Sequence, residues 1–281
     1  MPQESTASLD SAGAEEPAAL PLYQRALGAR STRMVLFLAL LMLLWEGLVR
    51  MHIWPQYLFP SPFTVFERIK DGIVNKSIPI AIGNSMRRMA IGYGSSLVVG
   101  VILGVLIARF KLVEDTLGSV MLGLQALPSV AWLPLALVWM GLNDRAIIFV
   151  IVMGSLLSIT LATADGVKNI PPLYHRTART LGAKGFTLYW RVILPASFPS
   201  MVTGMKQGWS FAWRSLLAAE LLFVTLGLGH LLDLGRQLND IAQVMAIMIV
   251  IIAIGLIVDR LVFANLEHRI RTRWGLTGLQ G

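Results

Sequence analysis

Apolar side chains in this sequence come in long runs rather than in short alternations. The first run extends from Met34 to Val49 with Glu46 as its single charge, and at least five more follow. A helix needs roughly 20 apolar residues to cross about 30 Å of hydrocarbon. The pattern therefore predicts an all-α membrane protein of six transmembrane helices, over about 34–50, 78–109, 117–141, 146–165, 196–224 and 242–264.

Polar and proline-rich stretches divide these spans. Residues 1–33 contain Glu4, Asp10, Glu15 and Glu16 among Ala, Ser and Pro, and lack the basic start of a signal peptide. They read as a disordered N-terminal tail, with the membrane domain over 34–275. Pro55, Pro60 and Pro62 predict a turn-rich loop after the first span. Val65, Ile69 and Ile73, four residues apart, predict an amphipathic interfacial helix. Gly100 and Gly104 have the spacing that lets a neighbouring helix come close, although glycine is also simply common in membrane helices. Pro128 and Pro134 predict a kinked third span, and residues 141–145 a polar turn. That turn, with Asn143, Asp144 and Arg145, reads first as solvated and second as a docking point for an outside partner. Arg87 and Arg88 read as side chains reaching for lipid headgroups.

Composition agrees: the 281 residues are 55% hydrophobic and only 14% charged, against about 25% charged in an average soluble domain. The net charge of +8 would suggest nucleic acid in a soluble protein. Here no basic stripe with interleaved aromatics stands outside the spans, so no nucleic-acid partner is expected. Lys and Arg instead follow the positive-inside bias. With both termini cytoplasmic, about 13 of the 24 fall on the cytoplasmic side. There are no cysteines, and His52, His175, His230 and His268 lack ligand spacing, so no metal site is expected. Charges inside spans must pair or face a water-filled path. Arg214 and Glu220, six residues apart on the fifth span, sit about 240° apart around a helix and cannot pair with each other. With Trp209 and Trp213 they are the candidates for lining or gating a pathway; a packing ion pair to another helix is the alternative.

The most informative stretch is the basic segment HRTARTLGAKGFTLYWRVILPASFPS, residues 175–200. It reads as helix, glycine, helix, proline. Gly182 can take the left-handed backbone that ends a helix, and Pro195 suits the first turn of the next one. Phe186, Tyr189, Trp190 and Ile193 predict one aromatic-apolar face. This segment resembles the coupling-loop signature of ABC importer permeases, the EAA motif: a Glu-Ala-Ala triplet, a glycine four residues after its last alanine, then an apolar-x-Leu-Pro ending. Ala178, Gly182, Val192, Leu194 and Pro195 match it, while Arg176 and Thr177 stand where the pattern has Glu and Ala. LFPSPFTVF, LPSVAWLPLALVWMGLNDRAIIF and WSFAWRSLLAAELL resemble the sulfonate/nitrate/taurine branch, in the same order, over about residues 58–275.

The resemblance implies a type I ABC importer permease fold in the cell inner membrane, with coupling helices over 172–194 on the cytoplasmic side. Arg176, Thr177, Ala178, Gly182, Ala183, Phe186, Val192, Leu194 and Pro195 would form the contact with a separate ATPase. The sequence has no GxxxxGK[ST] phosphate loop, so ATP and magnesium would be held by that partner, and the chain itself is not expected to be an enzyme. The resemblance further implies a second permease copy, an ATPase homodimer and an extracytoplasmic solute-binding protein. The solute would be a small anion or zwitterion such as an aliphatic sulfonate, taurine or nitrate. A secondary transporter not driven by ATP is the alternative; it would carry inverted repeats and midplane carboxylates.

Overall fold

The structure, a computed structural model, describes residues 30–273. Residues 1–29 of the predicted tail lie outside the described residues. The chain divides into two compact units, Met1–Trp54 and Pro55–Gly281. The described part of the first carries one apolar helix, α1 (Arg30–Arg50), whose one acidic residue, Glu46, meets Arg50 one turn on at 2.8 Å.

The second unit opens with α2 (Pro62–Val74). Ser61 caps it by accepting from the Thr64 amide at 3.2 Å, and Pro62 occupies the first turn, where its missing N–H costs nothing. Val65 is buried, while Phe63, Phe66 and Ile73 are exposed. Arg68 ties the helix to Asp240 at 2.9 Å.

Three long helices make the frame: α3 (Ser77–Arg109), α6 (Asp144–Lys168) and α9 (Leu194–Leu222). They pack through small residues. Gly92, Ser96, Gly100 and Gly104 recur every fourth position on α3 and are all buried. A Cβ on Gly104 would lie 2.5 Å from Thr163 Cβ and 2.6 Å from the Thr160 carbonyl, so α3 and α6 touch backbone to backbone. On the other side of α6, a Cβ on Gly204 would lie 2.3 Å from Ala162 Cβ. In lipid there is no hydrophobic drive between helices, and this close approach supplies dispersion contact instead. Of the two readings of the Gly100–Gly104 pair, close approach is the one seen.

The third predicted span differs from expectation. It is two arms, α4 (Lys111–Gln125) and α5 (Ser129–Met140), meeting at 101° rather than one kinked helix. Pro128 has an extended backbone (φ −57°, ψ 137°), and a proline disfavours helix at the residue before it, so the chain breaks there. Pro134 does not kink anything: it sits in the first turn of the helical part Leu133–Met140.

The basic segment forms α7 (Pro172–Thr180) and the single turn α8 (Gly185–Leu188), which runs through a π turn at Tyr189–Ile193 into α9. Then come α10 (Leu228–Gln237), α11 (Ile241–Val258), a π turn at Asp259–Ala264 and α12 (Asn265–Arg273). No strand occurs among the described residues.

Among the described residues, four helical stretches are long and apolar enough to cross a membrane, and the bent α4–α5 pair, taken as one span, makes a fifth. The remaining predicted span, the fifth in chain order (about 196–224), corresponds to α9, which is 29 residues long but interrupted by Lys206, Gln207, Arg214 and Glu220. Lys206 is paired with Asp259 at 2.7 Å and Glu220 with Arg88, while Gln207 and Arg214 face cavities. Those are the conditions under which a polar helix is tolerated in lipid.

Ion pairs mark both ends of the frame. Arg88 meets Asp144 at the start of α6, at 2.9 Å, and Lys168 at its end meets Glu114 at 2.8 Å. From Arg87 to Arg109, α3 rises roughly 33 Å at 1.5 Å per residue, close to the hydrocarbon thickness.

Candidate functional site

The segment 172–194 is a hinge with a local cause. Gly182 has φ +84°, in the left-handed region. Its amide donates to the Arg179 carbonyl at 3.0 Å, and the next amide, Ala183, donates to the Ala178 carbonyl at 2.9 Å. This pair of bonds is a Schellman motif, which ends α7 and satisfies carbonyls that a helix end leaves open. The apolar contact that accompanies such a motif is also present. Ala178 and Ala183 join a cluster with Val167, Ile170, Leu188 and Ile193. Val105 and Ala108 of α3 pack on the same cluster, so the hinge is seated on the ends of α3 and α6.

The predicted aromatic face is rearranged by the π turn. Leu188 and Ile193, five residues apart, are both buried, while Trp190 is exposed. A π turn closes i to i+5 hydrogen bonds, so residues five apart share a face. The wider turn falls just ahead of Pro195, and in a regular helix a proline ring clashes with the carbonyl four residues back. The side chain of Phe186 lies outside the described residues.

A second constellation joins four elements deep in the protein. Glu220 on α9 is fully buried, and Arg88 of α3 donates from Nη1 to its Oε1 at 2.7 Å. Ser85 Oγ, 2.8 Å from both carboxylate oxygens, donates to Glu220 and accepts from the Leu228 amide at 3.0 Å. The Gly229 amide, in the first turn of α10, donates to Glu220 Oε2 at 3.0 Å. Arg88 also donates from Nε to Asp144 at 3.1 Å, and Arg87 pairs with the other Asp144 oxygen. A Cβ on Gly227 would fall 2.5 Å from the Glu220 carboxyl carbon, so a side chain there would have to displace the bound carboxylate. A charge buried with its partner and its hydrogen bonds is tolerated. Removing one partner typically costs about 3–5 kcal/mol, because the other charge stays buried.

The third feature is a cavity of about 360 Å³ at the α4–α5 break, lined by Gln125, Pro128, Ser129, Gly154, Ser158 and Arg214 among others. Arg214 Nε donates to the Ser210 carbonyl at 3.0 Å, and its guanidinium lies 4.8 Å from the Phe211 ring centroid. No carboxylate lines this cavity among the described residues, so its one charge is positive. A neighbouring cavity of about 400 Å³ shares Gln125 and Ser158 with it and extends to Asp165, Lys168 and Gln207. Together they form a groove along α4, α6 and α9 in which Glu114, Asp165, Lys168 and Arg214 stand among apolar walls.

Residues 97–272 match the family of binding-protein-dependent transport system inner membrane components. The chain belongs to this family. A Methanocaldococcus jannaschii protein named as an ABC transporter permease is 37% identical over 177 residues, covering 63% of this chain and 66% of that one. The nitrate import permease protein NrtB of Synechocystis is 29% identical over 72% of this chain and 77% of its own length. The bicarbonate transport system permease protein CmpB of the same organism is 28% identical, covering 78% and 81%. Among solved structures, a chain of the inward-facing MetNI methionine ABC transporter superposes with a TM-score of 0.59. It covers 70% of this chain and 97% of that one at 15% identity, which speaks to the fold alone.

In this permease the predicted positions separate into distinct places. Arg176 and Thr177 are exposed on α7, Ala178 is buried, and Ala183, Val192, Leu194 and Pro195 are half-buried around the hinge. Trp209 and Trp213 stack on each other at 6.3 Å, and Tyr93 meets Trp209 edge-on at 5.3 Å. Both indoles belong to the core and neither lines the cavity that holds Arg214. Arg214 and Glu220 do not pair, and Glu220 reaches Arg88 instead. The sequence reading assigns Arg88 to lipid headgroups, whereas the side chain is buried. Counting charges would have found the pair: Arg88 lies ten residues inside an apolar helix, and Glu220 needs a cation that Arg214 cannot be. Asp144, read as part of a solvated turn, is engaged by the same arginine.

Proposed function

We propose that this permease works as a homodimer in an ATP-driven, binding-protein-dependent importer of small anionic or zwitterionic solutes that carry an oxyanion group. Nitrate, bicarbonate, taurine and other sulfonates are the solutes in view. Two copies would face each other across the groove, with segment 172–194 gripped on the cytoplasmic side by an ATPase pair that holds ATP and magnesium. Closure of that pair would push the hinge cluster against the ends of α3 and α6. The groove would thereby open outward to a docked solute-binding protein.

The observation that carries the solute class is the guanidinium of Arg214, the lone charge lining the cavity at the α4–α5 break among the described residues. A planar guanidinium suits oxyanions, with Ser129, Ser158 and Gln125 supplying further polar groups. The nitrate and bicarbonate relatives support the same class.

The test is uptake into proteoliposomes containing the permease, its ATPase and its binding protein. Nitrate, bicarbonate and taurine are compared with a small cation, with and without ATP. Anion uptake that needs ATP, and that falls at least tenfold in Arg214→Ala with little change in melting temperature, is expected. Uptake independent of ATP would favour a secondary transporter, and an unaffected Arg214→Ala would remove the assigned pathway.

A further inference from the structure

A second pair of cavities lies where α3 ends beside the hinge. One, of about 410 Å³, is lined by Arg109, Arg179, Ala183, Lys184, Gly185, Leu188 and Tyr189: three cations and no carboxylate among the described residues. The other, of about 490 Å³, is lined by Val101, Val105, Leu106, Val167, Trp190 and Ile193 among others, and Arg109 is its one charged wall among the described residues. The two share Arg109, Gly185 and Tyr189, so they form one continuous surface, polar at one end and apolar at the other. Arg109 marks the junction, with its guanidinium 4.9 Å from the Tyr189 ring centroid.

Depth fixes what each end meets. Arg109 closes the apolar run of α3, roughly 33 Å along the helix from the exposed Arg87, which sets it at headgroup height. Val101 lies about 12 Å back along the helix, within the acyl region. Ile102, Leu106, Phe110 and Trp190 of the apolar cavity are all exposed.

We propose that this surface binds an anionic phospholipid, with its phosphate among Arg109, Arg179 and Lys184 and an acyl chain along Val101, Val105 and Trp190. A free phosphate would leave the apolar half unfilled, and a water-soluble protein cannot reach into it at acyl depth. Charge complementarity selects the lipid class, because all three charges on the wall are positive. The ligand bridges α3 and the loop after Gly182, so it would stiffen the joint that Ala178, Leu188 and Ile193 form. The inference stands on the permease chain and its membrane placement, independently of the ATPase reading.

The test uses the full chain, without ATPase, in phosphatidylcholine vesicles doped with acyl-brominated phosphatidylglycerol or, in parallel, acyl-brominated phosphatidylcholine. Trp190 reports contact, its signal isolated by subtracting the emission of Trp190→Phe. Brominated phosphatidylglycerol is expected to quench Trp190 more strongly at equal mole fraction. Each cation removed, in Arg109→Gln or in the double variant Arg179→Gln with Lys184→Gln, is expected to lose about fivefold of that preference. The double variant changes only exposed side chains of the hinge and carries the test should Arg109→Gln fail to fold. Equal quenching by both lipids, a preference untouched by the substitutions, or its abolition by inorganic phosphate would overturn the proposal.

Discussion

Gly182 and Gly104 are both glycines that the protein needs, for opposite physical reasons. A Cβ on Gly182 would meet nothing within 4 Å, so space is not what demands glycine there. Its φ of +84° is the demand, and side-chain-bearing residues pay about 1–2 kcal/mol to hold the left-handed region. Replacement by Ala or Val is therefore expected to depopulate the hinge roughly 5- to 30-fold, with Asn milder because it tolerates that backbone. ATPase co-purification and uptake should fall in the order Gly, Asn, Ala, Val. Unchanged co-purification in Gly182→Val would separate the hinge from ATPase coupling. Glu220 carries the contrasting lesson. Bound by Arg88, Ser85 and the Gly229 amide, its carboxylate joins α3, α9 and α10, and it does not line the cavity of Arg214.

The helices themselves were largely legible, because lipid demands long apolar runs and the runs are unmistakable. Their joints were less so. Pro128 and Pro134 look alike in a sequence, yet one breaks the chain and the other sits harmlessly in a first turn. Only the position of each ring relative to a helix start separates them. The π turn at Tyr189–Ile193 shifted the expected aromatic face, since a 3.6-residue period cannot foresee an inserted residue. The Gly182 cap, by contrast, could be read directly, because a basic helix followed by glycine has few alternatives. Arg88 was misplaced because counter-charges lie more than 50 positions away in sequence, where periodicity carries no information. The contact between α3 and α6 gives an element-scale prediction. Gly104→Val would drive a side chain into Thr163 and the Thr160 carbonyl and should cost about 1–3 kcal/mol by overpacking. Gly94→Ala, which meets nothing within 4 Å on the same helix, should leave the melting temperature in detergent essentially unchanged. Equal melting shifts for the two would mean that the helices do not touch where Gly104 lies.

At the scale of the molecule, the frame is one middle helix, α6, held at both ends by ion pairs and flanked by α3 and α9 through small residues. Force applied at the hinge cluster reaches the ends of α3 and α6 directly, and the groove runs along the same α6. The spacing of Arg87 and Arg109, both exposed on α3, then has a mechanical meaning. Two guanidinium groups fixed on one rod act as calipers, and they are set to a single bilayer gauge. A membrane with longer acyl chains must either pinch in around the protein or tilt the rod, at a fraction of a kcal/mol per Å of mismatch. Transport in vesicles of graded chain length is therefore expected to peak where the hydrocarbon is about 30 Å thick and to decline on both sides. A flat profile would mean that the rod does not register membrane thickness at all.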